Sequence, residues 1–173
     1  MSSNRTSQLT ISAMSIALGL VIPRILHSVP NAGTLFLPMH FPILMGAFFL
    51  EPGYAIMVGL LTPALSTLIT GMPPAFPVLP FMMAELATYA LAASVLNRKL
   101  KLDRTISLVG AMVLGRAAAS VAVWILVAAF GAKLPSAWKF FLAAFTGSLP
   151  GIAIQLALIP SIVSVVQKGR SSR

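Results

Sequence analysis

The stretch Thr70-Gly71-Met72-Pro73-Pro74-Ala75-Phe76-Pro77-Val78-Leu79-Pro80 separates two apolar segments and sets the organisation of the chain. Its glycine and four prolines end the helix that precedes this stretch, because proline lacks the amide hydrogen that a helix interior needs. A second apolar segment begins at once and soon reaches Glu85. A carboxylate inside an apolar helix is costly in a bilayer, so Glu85 requires a partner or a function.

The composition is that of an integral membrane protein. The chain has 173 residues, of which 58% are hydrophobic and 9% charged, and its mean hydropathy is +0.95. These values leave too little polar surface to cover a soluble globule of this size. A spanning helix takes roughly 20 residues, so the chain has room for about six with short connections. We expect one membrane domain over residues 1–173 and an all-α fold.

Six transmembrane helices are predicted from the apolar segments and the breaks between them. They cover residues 10–26, 41–50, 54–69, 79–97, 105–130 and 137–166. The second is short for a bilayer unless the segment before it contributes, and Pro150 interrupts the sixth.

The formal charge of +9 is concentrated in a few segments of the chain, which favours membrane topology over nucleic-acid binding as its cause. The basic residues concerned are Arg5, Arg98, Lys99, Lys101, Arg104, Lys168, Arg170 and Arg173. By the positive-inside rule these segments are cytoplasmic, and so are both termini. The chain has no cysteine, which excludes disulfides and thiolate metal sites.

Glu85 and Arg116 are the strongest candidates for a binding site, because ionisable groups within membrane helices tend to face the interior of the bundle. Tyr89 shares the face of Glu85 at a spacing of four residues. Arg116 lies about 16 Å along the fifth predicted helix, where a guanidinium costs on the order of 3 kcal/mol or more. The two groups either form a structural ion pair or contact a ligand, and an anionic or amide-bearing ligand would suit Arg116.

Further candidates for substrate contact are polar, aromatic or methionine side chains near these two residues or in the outer loops: Asn31, His40, Met72, Tyr89, Trp124 and Ser148. His40 is about as suited to a structural cap as to a ligand contact. Trp124 recurs with Met112, Arg116 and Ser120 every four residues on one slowly drifting face. The chain has no metal-ligand spacing, phosphate loop or nucleophile motif, so we expect no metal, no cofactor and no enzyme activity.

Several motifs in combination point to a known family. They are Leu37-Pro38-Met39-His40-Phe41-Pro42-Ile43-Leu44, Glu51-Pro52-Gly53-Tyr54-Ala55, Thr70-Gly71-Met72-Pro73-Pro74, Met83-Ala84-Glu85-Leu86 and Gly115-Arg116. Over nearly the whole chain they resemble the substrate-binding S components of energy-coupling factor (ECF) vitamin transporters. The Ala-x-x-x-Ala motif that this family carries in its first helix matches Ala13 and Ala17. Glu51 departs from the family pattern, since many relatives have a small residue there.

The resemblance implies a six-helix protein of the prokaryotic cell membrane that captures a water-soluble vitamin or vitamin precursor from outside with high affinity. It also implies a complex with a transmembrane coupling protein and two cytoplasmic ATPases, with Ala13 and Ala17 on the contact surface. The pocket is expected in the outer half of the membrane, covered by the first and second outer loops. Family members are thought to topple in the membrane to deliver the ligand inward.

The residues themselves leave an alternative open. A self-sufficient secondary transporter or channel with Glu85 as its proton-linked group would also use a buried carboxylate. The identity of a substrate stays open as well, with pantothenate, a pyrimidine precursor of thiamin, a pyridine vitamin, folate and cobalamin among the possibilities.

Overall fold

The computed structural model describes residues 4–26 and 32–171, and all regular structure in these residues is helical. A π-helical turn at Val95–Lys99 continues the helix that ends at Ser94. The amide of Leu100 donates to the carbonyl of Val95, five residues earlier, as is typical of a π-helix. The helices in chain order are α1 (Arg5–Leu26), α2 (Ala32–Phe36), α3 (His40–Ala47), α4 (Pro52–Thr70), α5 (Val78–Ser94), α6 (Arg104–Phe130), α7 (Ala137–Thr146) and α8 (Leu149–Ser171).

Five helical segments of the described chain are long and apolar enough to cross a membrane, where the sequence predicted six. They are Arg5–Leu26, Pro52–Thr70, Val78–Lys99, Arg104–Phe130 and Leu149–Gly169. The predicted second span corresponds to α3, whose eight residues extend only about 12 Å. That length is well below the hydrocarbon thickness of about 30 Å, so α3 does not cross a bilayer by itself. The prediction of a multi-pass helical membrane protein is confirmed.

The prediction of one continuous sixth helix over residues 137–166 is wrong, because two helices occupy this range. The helix α7 ends at Thr146, and α8 begins at Leu149 after a break at Gly147 and Ser148. Pro150 therefore lies in the first turn of α8, where no helical partner exists for the amide hydrogen that proline lacks. The side chain of Ser148 at this break is buried.

The helix ends form two opposite regions. The basic end comprises residues 4–8, 48–51, 94–104 and 164–171, and the cavity end comprises residues 20–26, 32–40, 70–78 and 131–140. Side chains close the basic end by bonding to main-chain groups of other elements. Gln8 donates to the carbonyl of Phe49 at 3.2 Å and accepts from the amide of Glu51 at 2.7 Å. Arg98 donates to the same carbonyl of Phe49 at 2.8 Å.

The centre of the bundle is α5, which packs between α4 and α6. A Cβ built on Gly59 of α4 would lie 2.5 Å from the carbonyl oxygen of Leu86, so the absence of a side chain lets α4 and α5 touch through their backbones. Gly115 of α6 likewise lies directly against the ring of Tyr89. These contacts fix the rotation of α5 and α6 about their axes, and both Glu85 and Arg116 consequently face the same interior space.

The helix α1 has two faces lined by small residues. Ser15 and Gly19 are buried, with Ser15 against Gly46 of α3 and Gly19 against Thr62 of α4. Ala13 and Ala17 lie on the opposite side and are exposed. Small residues on a lipid-facing helix surface permit the close approach of another helix.

Candidate functional site

A cavity of about 720 Å³ lies between the helices at the cavity end. Its size is within the range of about 300–1,000 Å³ that is typical of small-molecule sites. Residues around its mouth, among them Arg24, Gly33, Thr34 and Met72, are exposed, whereas those at its floor are buried. Its lining comes from α1, α2, α4, α5, α6, α7, the first residue of α3 and the segments before α3, after α4 and between α7 and α8.

The proline-rich stretch after α4 forms one side of the mouth, where Met72, Pro73 and Pro74 line the cavity. Gly71 ends α4 in the left-handed conformation, with a φ of 71° that favours glycine. Ser66 and Thr67, in the last turns of α4, then donate hydrogen bonds to the carbonyls of Met72 at 2.6 Å and Pro73 at 2.7 Å. The polar end of α4 therefore holds this segment against the helix.

Glu85, Arg116 and Ser148 form the floor of the cavity. Glu85 Oε1 lies 2.6 Å from Arg116 Nη1, and the exposed fractions of the two residues are 3% and 5%. Arg116 Nη2 donates to the hydroxyl of Ser148 at 3.0 Å, and that hydroxyl donates to the carbonyl of Ala144 at 2.5 Å. Three helical segments distant in sequence thus meet at one charged pair. Of the two alternatives left open by the sequence, the structure shows the ion pair, and contact with a ligand stays a prediction.

His40 lies beside the pair at the start of α3. Its Nε2 atom is 3.6 Å from Glu85 Oε1, which is beyond hydrogen-bonding distance. The imidazole meets the ring of Tyr89 edge to face, with centroids 5.4 Å apart. Tyr89 itself does not line the cavity, because its ring fills the space between His40 and Gly115. It therefore supports the floor from behind.

Several polar atoms at the floor have no hydrogen-bond partner within the described part of the chain. They are Arg116 Nε and both ring nitrogens of His40. Buried polar atoms are usually paired, because an unpaired one costs about 1–3 kcal/mol. The residues that carry these atoms line the cavity, although the atoms themselves have almost no accessible surface. An imidazole and a guanidinium together carry both donors and an acceptor.

The walls above the floor are apolar. Phe81 of α5 and Phe140 of α7 meet edge to face with their centroids 5.0 Å apart, and both line the cavity. Met82 and Val78 continue this surface toward the mouth. The site therefore combines a polar floor with apolar walls, an arrangement that orients a ligand by its polar end.

The predicted site residues have different positions relative to the cavity. His40, Met72, Glu85, Arg116 and Ser148 line it, and Tyr89 lies directly behind it. Asn31 lies outside the described residues.

The expectation that Trp124 shares the face of Arg116 is wrong. Trp124 is 63% exposed on the outside of α6 and does not line the cavity. The physical reason is helix geometry, because each step of four residues turns about 40° beyond a full rotation at 3.6 residues per turn. Two such steps separate Arg116 from Trp124, which is enough to move the side chain from the interior to the surface.

Most lining residues were not site candidates in the sequence, and Arg24 and Phe140 are two examples. Arg24, near the end of α1, lies at the mouth, and Phe140 of α7 forms part of the wall. The signal for Arg24 is its position near the predicted outer end of the first helix. No local pattern identifies Phe140, because it reaches the wall only through the break between α7 and α8. Within residues 4–26 and 32–171, no group of three or more His, Cys, Asp or Glu could hold a metal ion.

Comparison with known protein families identifies a family relationship. The model of a family described as "ECF transporter, substrate-specific component" matches residues 7–166, which is nearly the whole chain. No curated protein and no solved structure matches the sequence.

Proposed function

We propose, from the premise that this chain belongs to the family of ECF transporter substrate-specific components, that it captures a water-soluble vitamin or vitamin precursor with high affinity. Family membership makes it a multi-pass protein of the cell membrane and the substrate-specific subunit of an ECF importer, a transport subunit rather than an enzyme. The vitamin class, the high affinity and the details of assembly are the proposal.

The observation that carries the proposal is the polar floor of the cavity. Glu85 and Arg116 are almost fully buried and their side chains lie 2.6 Å apart, yet Arg116 Nε and both nitrogens of His40 lack a hydrogen-bond partner in the part of the chain that the structure describes. A pair that served only to join α5 and α6 would need neither a cavity of about 720 Å³ above it nor unused donors beside it. We therefore assign substrate contact to His40, Glu85, Arg116, Ser148 and Met72, with Tyr89 as the support of His40.

The charge distribution supports an outward-facing cavity. Arg98, Lys99, Lys101 and Arg104 lie at the basic end, opposite the cavity, and the positive-inside rule assigns such an end to the cytoplasm. Both termini are then cytoplasmic. In this arrangement α2 and α3 together form a sixth crossing, because the chain must return to the basic end between α1 and α4. The segment from Gly71 to Pro77 acts as a lid over the substrate.

The family implies a small-molecule substrate and ECF module partners, namely a coupling protein and ATPases. We propose that the complex contains one transmembrane coupling protein and two cytoplasmic ATPases. The exposed Ala13 and Ala17 of α1 form its contact surface on this subunit, because small side chains allow a partner helix to approach closely. Ser15 and Gly19 on the other face are already used inside the subunit.

The proposal is tested by reconstitution of the protein in lipid vesicles, alone and with an ECF coupling protein and ATPases. We expect uptake only from vesicles that contain the complete complex and ATP, while the subunit alone binds the substrate that co-purifies with it. Uptake by the subunit alone, driven by a proton gradient, would instead identify a secondary transporter.

The contact surface is tested by Ala13→Leu, which places a larger side chain on the exposed face of α1. Loss of the complex on co-purification, with substrate binding by the solitary subunit unchanged, is the expected result. Ala157→Leu is the matched control, because Ala157 is an exposed alanine on α8. Equal recovery of the complex with both variants would remove the α1 face from the interface.

A further inference from the structure

The floor of the cavity balances its own charge. One carboxylate, Glu85, and one guanidinium, Arg116, compensate each other at 2.6 Å. Of the five N–H donors of a guanidinium, one faces Glu85 from Nη1, one from Nη2 reaches Ser148, and the one on Nε has no hydrogen-bond partner within residues 4–26 and 32–171. The floor thus combines a compensated charge with donors that are not used by the protein.

This balance selects against a charged group at the floor. A substrate carboxylate would place a second negative charge beside Glu85, and like charges repel strongly where water is excluded. A substrate cation would meet the same difficulty with Arg116. An uncharged group with both an acceptor and a donor, such as a carboxamide, lactam or ureido group, meets neither. It can accept from Arg116 and exchange a hydrogen bond with His40.

The mouth of the cavity has the opposite character, since Arg24 lines it and is exposed. Within the portion of the chain covered by the structure, Arg24 has no hydrogen bond or ion pair. The whole sequence contains only three acidic residues. Glu85 is paired at the floor, while Glu51 and Asp103 lie at the basic end. No carboxylate of this chain is therefore available at the mouth, and Arg24 offers its charge to an anion from outside the protein.

We propose that the substrate has two chemically different ends joined by an apolar body. Its uncharged amide-like end lies at the floor against Arg116 and His40, its body lies along Phe81, Met82 and Phe140, and its acidic end lies at the mouth beside Arg24. This assignment rests on the proposed function and specifies the substrate class for the same cavity. The shared chemistry at Arg24 is an anion, either the substrate's carboxylate or a lipid phosphate, and the test separates the two.

The test measures binding of defined probes to the purified full-length protein in phosphatidylcholine nanodiscs, freed of co-purified ligand. Pantothenate and biotin carry an uncharged amide or ureido end and a carboxylate end. Panthenol and biotinamide are their counterparts without the carboxylate. Thiamin is a cation, and glutarate has an acid at both ends. We expect pantothenate or biotin to bind most tightly, followed by the counterpart of that probe without the carboxylate.

Arg24→Gln distinguishes the two sources of the anion. We expect this variant to weaken binding of the carboxylate probe by about fivefold, the effect of one partly exposed ion pair, and to leave its uncharged counterpart unchanged. Lys133→Gln is the matched control, because Lys133 is an exposed cation at the same end that does not line the cavity. An unchanged affinity for the carboxylate probe in Arg24→Gln would assign Arg24 to lipid phosphate and overturn the acidic end.

The remaining outcomes also decide the question. Tightest binding of thiamin or glutarate, or no binding of either amide–carboxylate probe, would overturn the two-ended substrate. Tight binding of thiamin would leave the proposed substrate capture intact, because a vitamin would still be bound. Absence of binding by every probe, together with absence of any co-purifying small molecule, would overturn the capture function itself.

Discussion

At the basic end the hydroxyl of Ser94 donates to the carbonyl of Leu50 at 2.7 Å, whereas at the cavity end Arg116 Nε and both nitrogens of His40 have no hydrogen-bond partner among the described residues. The three residues are comparably buried. Buried polar groups in a folded protein are normally paired, so the basic end follows the rule and the cavity end departs from it. Under the proposed function, the paired groups hold helices together and the unpaired groups at the floor contact the substrate.

The packing of the two ends differs in the same sense. At the basic end, Arg104 donates to Gln167 at 2.6 Å and to Ser164 at 2.9 Å, which joins the start of α6 to the end of α8. At the cavity end the short helix α7 has no buried residue, yet it contributes Phe140, Ala143 and Ala144 to the cavity wall. The basic end is therefore joined by hydrogen bonds between elements, whereas the cavity end holds an open space above one buried ion pair.

Glu85→Ala tests the buried ion pair at the floor of the cavity and has the largest expected effect on stability. We expect it to lower the free energy of unfolding by about 3–5 kcal/mol, because Arg116 stays buried without its counter-charge. Chemical unfolding in detergent measures the change. The matched control is Glu51→Ala at the basic end, where the side chain makes no capping hydrogen bond and a change within about 0.5 kcal/mol is expected.

A double variant then separates the structural role of the pair from its binding role. Glu85→Leu combined with Arg116→Met should recover most of the stability, because well-packed apolar residues often replace a buried ion pair without loss. Binding of the probe that stabilises the wild-type protein should not recover. Recovery of both stability and probe binding would show that the pair is only a structural contact and has no role in binding.

Two serine variants compare the ends at the level of one hydroxyl. Ser94→Ala leaves the buried carbonyl of Leu50 unpaired and should cost about 1–3 kcal/mol of stability with unchanged ligand affinity. Ser148→Ala should weaken ligand binding about tenfold, since Arg116 loses a partner that orients it. Its effect on stability should be smaller than that of Ser94→Ala, because water in the cavity can replace the hydroxyl. Equal effects of both variants on stability and affinity would contradict the division.

The smallest effect is expected at the exposed start of α6. Asp103 caps this helix by accepting from the amide of Thr105 at 2.8 Å, and that bond holds the pKa of the carboxyl below its ordinary value. Because the pKa is lowered, the carboxylate stabilises the fold fully at pH values above the ordinary pKa of the group. This contribution is lost as the pH falls through the lowered pKa. Asp103→Ala should reduce the melting temperature slightly at neutral pH. The difference from wild type should shrink in acid, and a difference independent of pH would exclude the charge as its cause.

Much of this fold follows from local signals. The prediction of 105–130 for the fifth span differs by one residue from α6, which begins at Arg104 after the capping residue Asp103 and ends before Gly131. The end of α4 at Thr70 follows equally from Gly71 and the prolines after it. Such boundaries are predictable because capping residues and prolines act on the backbone next to them. The match of Ala13 and Ala17 to a family motif is likewise readable from a short stretch of sequence.

Other features depend on contacts that no local pattern records. Both Arg116 and Trp124 were assigned to one face, but packing against α5 buries the first and leaves the second exposed. The short α3 and the break between α7 and α8 likewise reflect how the chain fills the space around α5. Phe140 and Arg24 become cavity residues only after these elements are in position.

The sequence by itself determined that the protein is helical, lies in a membrane and carries a buried acid and a buried base, because hydrophobicity and charge act residue by residue. Only the tertiary structure decided that Glu85 and Arg116 meet at 2.6 Å beneath an open cavity, with donors left over and Ser148 as a third member. The physical reason is that helix rotation is set by close packing, as at Gly59 and Gly115, between residues far apart in the chain. The stretch from Thr70 to Pro80 contains the end of α4 and the start of α5. The packing of α5 against its neighbours then orients Glu85 toward Arg116.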